Sequence, residues 1–144
     1  MPADAARDVY DVEVTSHVPP TSAHPGTSAC APVVYFDGAC PVCAREIAMY
    51  RQQPGGNTLR WVDASSCADD ELGPALTREA ALARLHLRGP DGQLVSGAAA
   101  FTGMWRQLPR WRWLGVVLGR GWRLVFLEGA YRAFLLVRRG WRRA

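Results

Sequence analysis

Cys40 and Cys43 are separated by two residues, Pro41 and Val42. On a helix that spacing puts the second thiol one turn after the first, close enough for a disulfide within the chain. A thiol at a helix N-terminus faces unpaired backbone N–H groups and the positive end of the helix dipole, and both favour the thiolate. The thiolate is the attacking species in disulfide exchange. Cys40 would attack a substrate disulfide, and Cys43 would resolve the mixed disulfide. The same spacing also serves zinc, but a structural zinc site needs a second pair of ligands. The other cysteines, Cys30 and Cys67, stand singly and far off, so no metal or organic cofactor is expected. A pair that merely packs is the third reading. Asp37 brings a carboxylate to the same place. It could take the proton that Cys43 must lose, although its charge would oppose a thiolate at Cys40. Turning or capping the chain into the helix is its plainer use.

This chemistry needs the pair at a junction of strand and helix. Val33–Phe36 is a short apolar, β-rich run that reads as a buried strand. Asp37-Gly38 signals a turn, and Pro41 suits a first helical position, where its missing N–H costs nothing. A helix over 40–53 follows, stopped by Pro54-Gly55-Gly56. Residues 59–62 read as a second strand, and 69–76 as a helical turn or short helix with Pro74 in its path. Ala83, Leu85 and Leu87 alternate with Arg84, His86 and Arg88, which predicts a strand with one wet face and places His86 at the surface or an interface. Gly89-Pro90-Asp91-Gly92 turns the chain, and 93–96 returns as a partner strand. Phe101, Met104, Trp105 and Leu108 have the spacing of a helix face, ended by Pro109. This is an α/β order, a βαβ unit followed by a β-hairpin and helix, the outline of a thioredoxin-like domain.

The chain of 144 residues, 49% apolar and 21% charged, is the size and composition of one globular domain. Collagenous, wholly disordered and disulfide-stapled architectures are excluded. Nothing reads as a secretory leader or a spanning helix, so a reducing cytoplasm is the expected compartment. Residues 1–32 hold five of the ten prolines and read as a disordered extension, with His17 and His24 solvated in it. Residues 105–144 hold ten arginines against one acid, Glu128, and five of the six tryptophans; residues 1–104 hold seven arginines against twelve acids. Gly119, Gly121 and Gly129 divide 115–139 into at least two short helices. These are expected to pack on the sheet with residues 124–127 and 134–137 covered and their arginines snorkelling outward. Contact with an anionic membrane surface is a second use. No recognised nucleic-acid motif is present, so no nucleic-acid partner is expected.

The segment Asp37-Gly38-Ala39-Cys40-Pro41-Val42-Cys43 after an apolar strand resembles the DCC family of thiol-disulfide oxidoreductases. Asp91-Gly92 with Gly97-Ala98-Ala99-Ala100-Phe101 is similar to that family's downstream block, and residues 105–114 continue it. Tyr131, Arg132 and Arg138 resemble its C-terminal end. The resemblance covers 33–139, leaving 1–32 as an extension and 140–144 as a tail. It implies a thioredoxin-like fold with C-terminal helices added, a protein-disulfide reductase activity, and Asp37 as the motif's aspartate. It implies no particular substrate. Thioredoxin-like enzymes carry a cis-proline before the third strand, and here no proline lies between Pro74 and Pro90. Something near 82–84 must take that place. The Pro-Val dipeptide is nearer the Pro-Tyr of glutaredoxins than the Gly-Pro of thioredoxins, which points towards a small-thiol substrate such as glutathione beside protein disulfides. A non-enzymatic redox-sensing or zinc-binding module, docked on a membrane or partner through the basic tail, is the alternative.

Overall fold

The computed structural model describes residues 30–143. The extension expected over 1–32, with His17 and His24, lies almost wholly outside the described residues. Val33–Phe36 forms β1. Val34 and Phe36 face one side and Tyr35 the other, and all three are buried. A strand covered on both faces carries no polar alternation, which is why this run is continuously apolar. Arg60–Asp63 (β2) pairs parallel with β1, Val34 opposite Trp61. His86–Arg88 (β3) pairs antiparallel on the other side, and Leu94–Ser96 (β4) lies antiparallel outside β3. The sheet order is β2-β1-β3-β4. Two parallel neighbours need a crossover, and the helix Pro41–Arg51 (α1) supplies it.

Three more helices complete the domain after the short helix Arg78–Ala83 (α2): Ala98–Gln107 (α3), Arg112–Leu118 (α4) and Gly121–Arg143 (α5). Ile47 and Tyr50 of α1 join Met104 of α3, Leu108 just beyond it and Leu87 of β3 in one core over Val34 and Phe36. Ala81 of α2, with Leu72 and Leu76, covers Tyr35 and Val62 on the opposite face. A βαβ unit, an antiparallel hairpin and helices on both faces make this the thioredoxin-like fold.

Several local expectations change. The first helix runs over Pro41–Arg51, with Cys40 as its N-cap, rather than over 40–53. The second strand is shifted by one residue, to Arg60–Asp63. Only Asp69–Leu72 of the segment 69–76 is helical, as a 3₁₀ turn that ends at Gly73 with φ +70°. Ala83 closes α2 instead of opening a strand: Thr77 caps that helix by accepting from the Ala80 N–H at 3.1 Å. His86 is buried, not on a wet face. It stands opposite Tyr35, on the face that α2 and the second core cover, and its ring Nδ1 donates to the Arg84 carbonyl at 2.8 Å.

The C-terminal segment also differs. The break falls at Gly119–Gly121, but Gly129 sits inside α5 with nothing packed where a Cβ would be. The helix also continues past 139 to Arg143. The apolar runs 124–127 and 134–137 are only partly covered. Leu124, Leu127, Phe134 and Leu135 are half-buried, whereas Val125, Phe126, Leu136 and Val137 are exposed. Four successive residues on a helix span its whole circumference and cannot all face inward.

Candidate active site

The site is built at the end of β1. Asp37 follows the last strand residue, and its Oδ1 accepts from the Ala39 N–H at 3.1 Å. The Asp37 carbonyl accepts from the Cys40 N–H at 3.3 Å, closing the turn. Gly38 is required in this turn by close approach rather than by its dihedral. Its N–H donates to Asp63 Oδ1 at 2.8 Å, and a Cβ there would lie 1.9 Å from Asp63 Oδ2. Asp63 is itself held below the usual carboxylate range, because bonds from Ser65 and Gly38 outweigh its burial.

Cys40 then serves as the N-cap of α1, with extended backbone and Pro41 in the first turn. Its Sγ accepts from the Cys43 N–H at 3.5 Å, one of the orphan donors of the helix start. No acidic residue lies in the first turn of α1. Burial pushes the Cys40 thiol up, but hydrogen bonds from the Cys43 side chain and N–H and the charge of Arg138 outweigh it. Its pKa falls below the ordinary value. Cys43 goes the other way. Burial, the Cys40 sulfur and the nearby charges push it up to about 12, although Arg138 opposes the rise. Both cysteines are free thiols. Cys40 is the more covered, at 3% exposure, and Cys43 is half-buried.

The residue that sequence reasoning left without a role is Arg138, from the far end of the chain. It is buried and pairs with Asp37 Oδ2, and its Nη2 also donates to the Leu82 carbonyl at 2.9 Å. The place before β3 where thioredoxin-like enzymes carry a cis-proline is thus tied to Asp37 through one guanidinium. Among the described residues no peptide bond is cis. Two further bonds seat α5 beside the site. The Tyr131 hydroxyl accepts from the Leu85 N–H at 2.8 Å, and Glu128 accepts from the Ala98 N–H at 2.9 Å while pairing with Arg84. A signal for Arg138 was present: it ends the apolar run 134–137 and falls on the same helix face as Tyr131 and Phe134, seven and four residues earlier.

Asp37, Cys43, Glu46, Tyr131 and Arg138 line a cavity of about 20 Å³, room for one water molecule and no substrate. Burial holds the Glu46 carboxyl above its ordinary pKa, against a hydrogen bond from the Tyr50 hydroxyl at 3.3 Å. Cys67 lies elsewhere, packed in the second core, with Arg78 Nη1 3.9 Å from its sulfur, and Cys30 is exposed. Among the described residues, no group of three or more His, Cys, Asp or Glu side chains is placed to hold a metal ion.

Residues 34–144 match the family model described as DCC1-like thiol-disulfide oxidoreductase. No curated protein and no solved structure matches the chain.

Proposed function

The chain belongs to the DCC1-like thiol-disulfide oxidoreductase family, and on that premise we propose that it reduces disulfides by dithiol exchange through Cys40 and Cys43. The observation that carries this reading is the placement of Cys40 as the N-cap of α1, its Sγ accepting from the Cys43 N–H at 3.5 Å with Cys43 one turn on; the same geometry favours ionisation of Cys40 over Cys43. The Cys40 thiolate attacks one sulfur of a substrate disulfide. The Cys40–substrate bond forms, the substrate S–S bond breaks, and one half leaves as a thiolate. Cys43 then loses its proton and attacks the Cys40 sulfur. The second half leaves, and the Cys40–Cys43 disulfide holds the oxidising equivalents. Two electrons have passed to the substrate, and the leaving thiolates take up protons.

Arg138 stabilises both thiolates in turn and offsets the Asp37 charge that would oppose them. The proton of Cys43 passes, by way of the water-sized cavity they share, to the carboxylate of Asp37 or Glu46. Glu79, Arg84, Arg132, Arg138 and Arg139, with Leu82 and Leu135, line a groove of about 690 Å³ between α2 and α5. The substrate is a protein disulfide or a small disulfide such as glutathione disulfide. A reduced thiol of the same class, acting as the donor, returns the pair to the dithiol.

Turnover of insulin disulfides and of glutathione disulfide, with dithiothreitol as donor, tests the reading. The wild type should catalyse at least one of them, and Cys40→Ser should abolish it. Equal rates in the two proteins would end the proposal.

A further inference from the structure

α5 carries two chemically different faces. Its inner side is anchored by Glu128, Tyr131 and Arg138. Its outer side is apolar. Trp122, Val125, Phe126, Leu136, Val137 and Trp141 are between 52% and 74% exposed. At 3.6 residues per turn these six fall within an arc of about 160°. The positions between them on that arc are Gly129, Ala130, Ala133 and Gly140, all exposed. Arg132 and Arg139 run along one edge of the arc, and Arg123 stands at the other. Short α4 adds exposed Trp113, Val116 and Val117. An exposed face with this many large apolar side chains marks a surface that something covers.

We propose that the outer face of α5 lies flat on an anionic lipid surface. Its apolar residues enter the boundary between headgroups and acyl chains, and the edge arginines reach the lipid phosphates. Charge selects this occupant. Residues 105–144 hold ten arginines and a single acid, and that acid, Glu128, is already engaged by Arg84 and Arg132. A second copy of the chain would set the same positive edges against each other, with Glu79 the carboxylate in the groove beside Arg132 and Arg139. Trp113, Trp122 and Trp141 have the amphipathic rings that settle at headgroup level. Among the described residues no helix is long and apolar enough to cross a membrane, so the helix rests in the plane of the interface. Arg138, on the opposite side of α5, keeps its pairing with Asp37, and the thiol pair faces away from the lipid.

Co-sedimentation of the full chain with phosphatidylcholine vesicles, with and without phosphatidylglycerol, tests this. The protein should bind the anionic vesicles and release as rising salt screens the arginines. Phe126→Glu puts a charge in the middle of the face, at a side chain 74% exposed. It should lower the bound fraction about tenfold or more while leaving thermal melting and disulfide turnover unchanged. Arg123→Gln with Arg139→Gln should flatten the salt dependence. Equal binding to neutral and anionic vesicles, no binding to either, or undiminished binding by Phe126→Glu would overturn the proposal. So would a dimer in sedimentation velocity that Phe126→Glu dissolves, because a second copy would then cover the face.

Discussion

Replacing Arg138 by methionine keeps a long stem and removes the charge that faces Asp37 and both thiols. The two side chains of this ion pair are 7% and 2% exposed, so solvent screens their interaction little. Removing one partner of a buried pair costs about 3–5 kcal/mol, because the other charge stays behind in a low-dielectric site. The Leu82 carbonyl loses its donor in the same step. Asp37→Asn should also destabilise, by leaving the guanidinium uncompensated. The double variant should cost less than the sum of the two, with a coupling of about 2–3 kcal/mol in urea unfolding. A second readout separates chemistry from stability. Arg138 helps lower the Cys40 thiol, so Arg138→Met should shift the pH profile of iodoacetamide labelling at Cys40 upward. A cost below about 1 kcal/mol, or strict additivity in the double variant, would refute the account of this pair.

Three further outcomes follow from the geometry. Burial and the Cys40 sulfur push the Cys43 thiol up while Cys40 is lowered, so alkylation mapped by mass spectrometry should mark Cys40 before Cys43, even though Cys40 is the more covered; first labelling at Cys43 would reverse the assignment of roles. Burial, with the Arg84 charge, lowers the His86 pKa below the ordinary 6.5 despite the hydrogen bond to the Arg84 carbonyl. Its contribution to stability is therefore present above the unfolded value and is lost as pH falls through the folded one, and thermal melts from pH 7.5 to 5 should fall less steeply in His86→Gln than in wild type. Gly38→Ala drives a Cβ into the Asp63 carboxylate and should cost about 1–3 kcal/mol in chemical unfolding; a neutral result would mean the turn has room to shift.

The strand before the cysteines, the helix start beside Pro41 and the crossover by α1 were legible because each rests on local chemistry: an apolar run, a Pro at a helix start, and two parallel strands that need a connection. The burial of His86 was not. Alternation of Leu85, His86, Leu87 and Arg88 is ordinarily the mark of a half-exposed strand, but here His86 stands opposite Tyr35, on the face that α2 and the second core cover, and satisfies its ring on a local carbonyl. The pairing of Asp37 with Arg138 spans 101 residues, and no local pattern specifies such a contact. The run 134–137 held more apolar side chains than one helix face can bury, so its exposed half was implicit in the period. What the period could not show is which residues of the domain anchor the other half.

The central claim is that Cys40 is the thiol that bonds to substrate and Cys43 the one that releases it. Cys43→Ser, in a Cys30→Ser and Cys67→Ser background, should trap a single covalent adduct on exposure to glutathione disulfide or to a disulfide-containing protein. Peptide mapping should place it on Cys40, and adding Cys40→Ser should abolish it. Failure to trap any adduct in Cys43→Ser, in conditions where the wild type turns the substrate over, would contradict the mechanism at its first step.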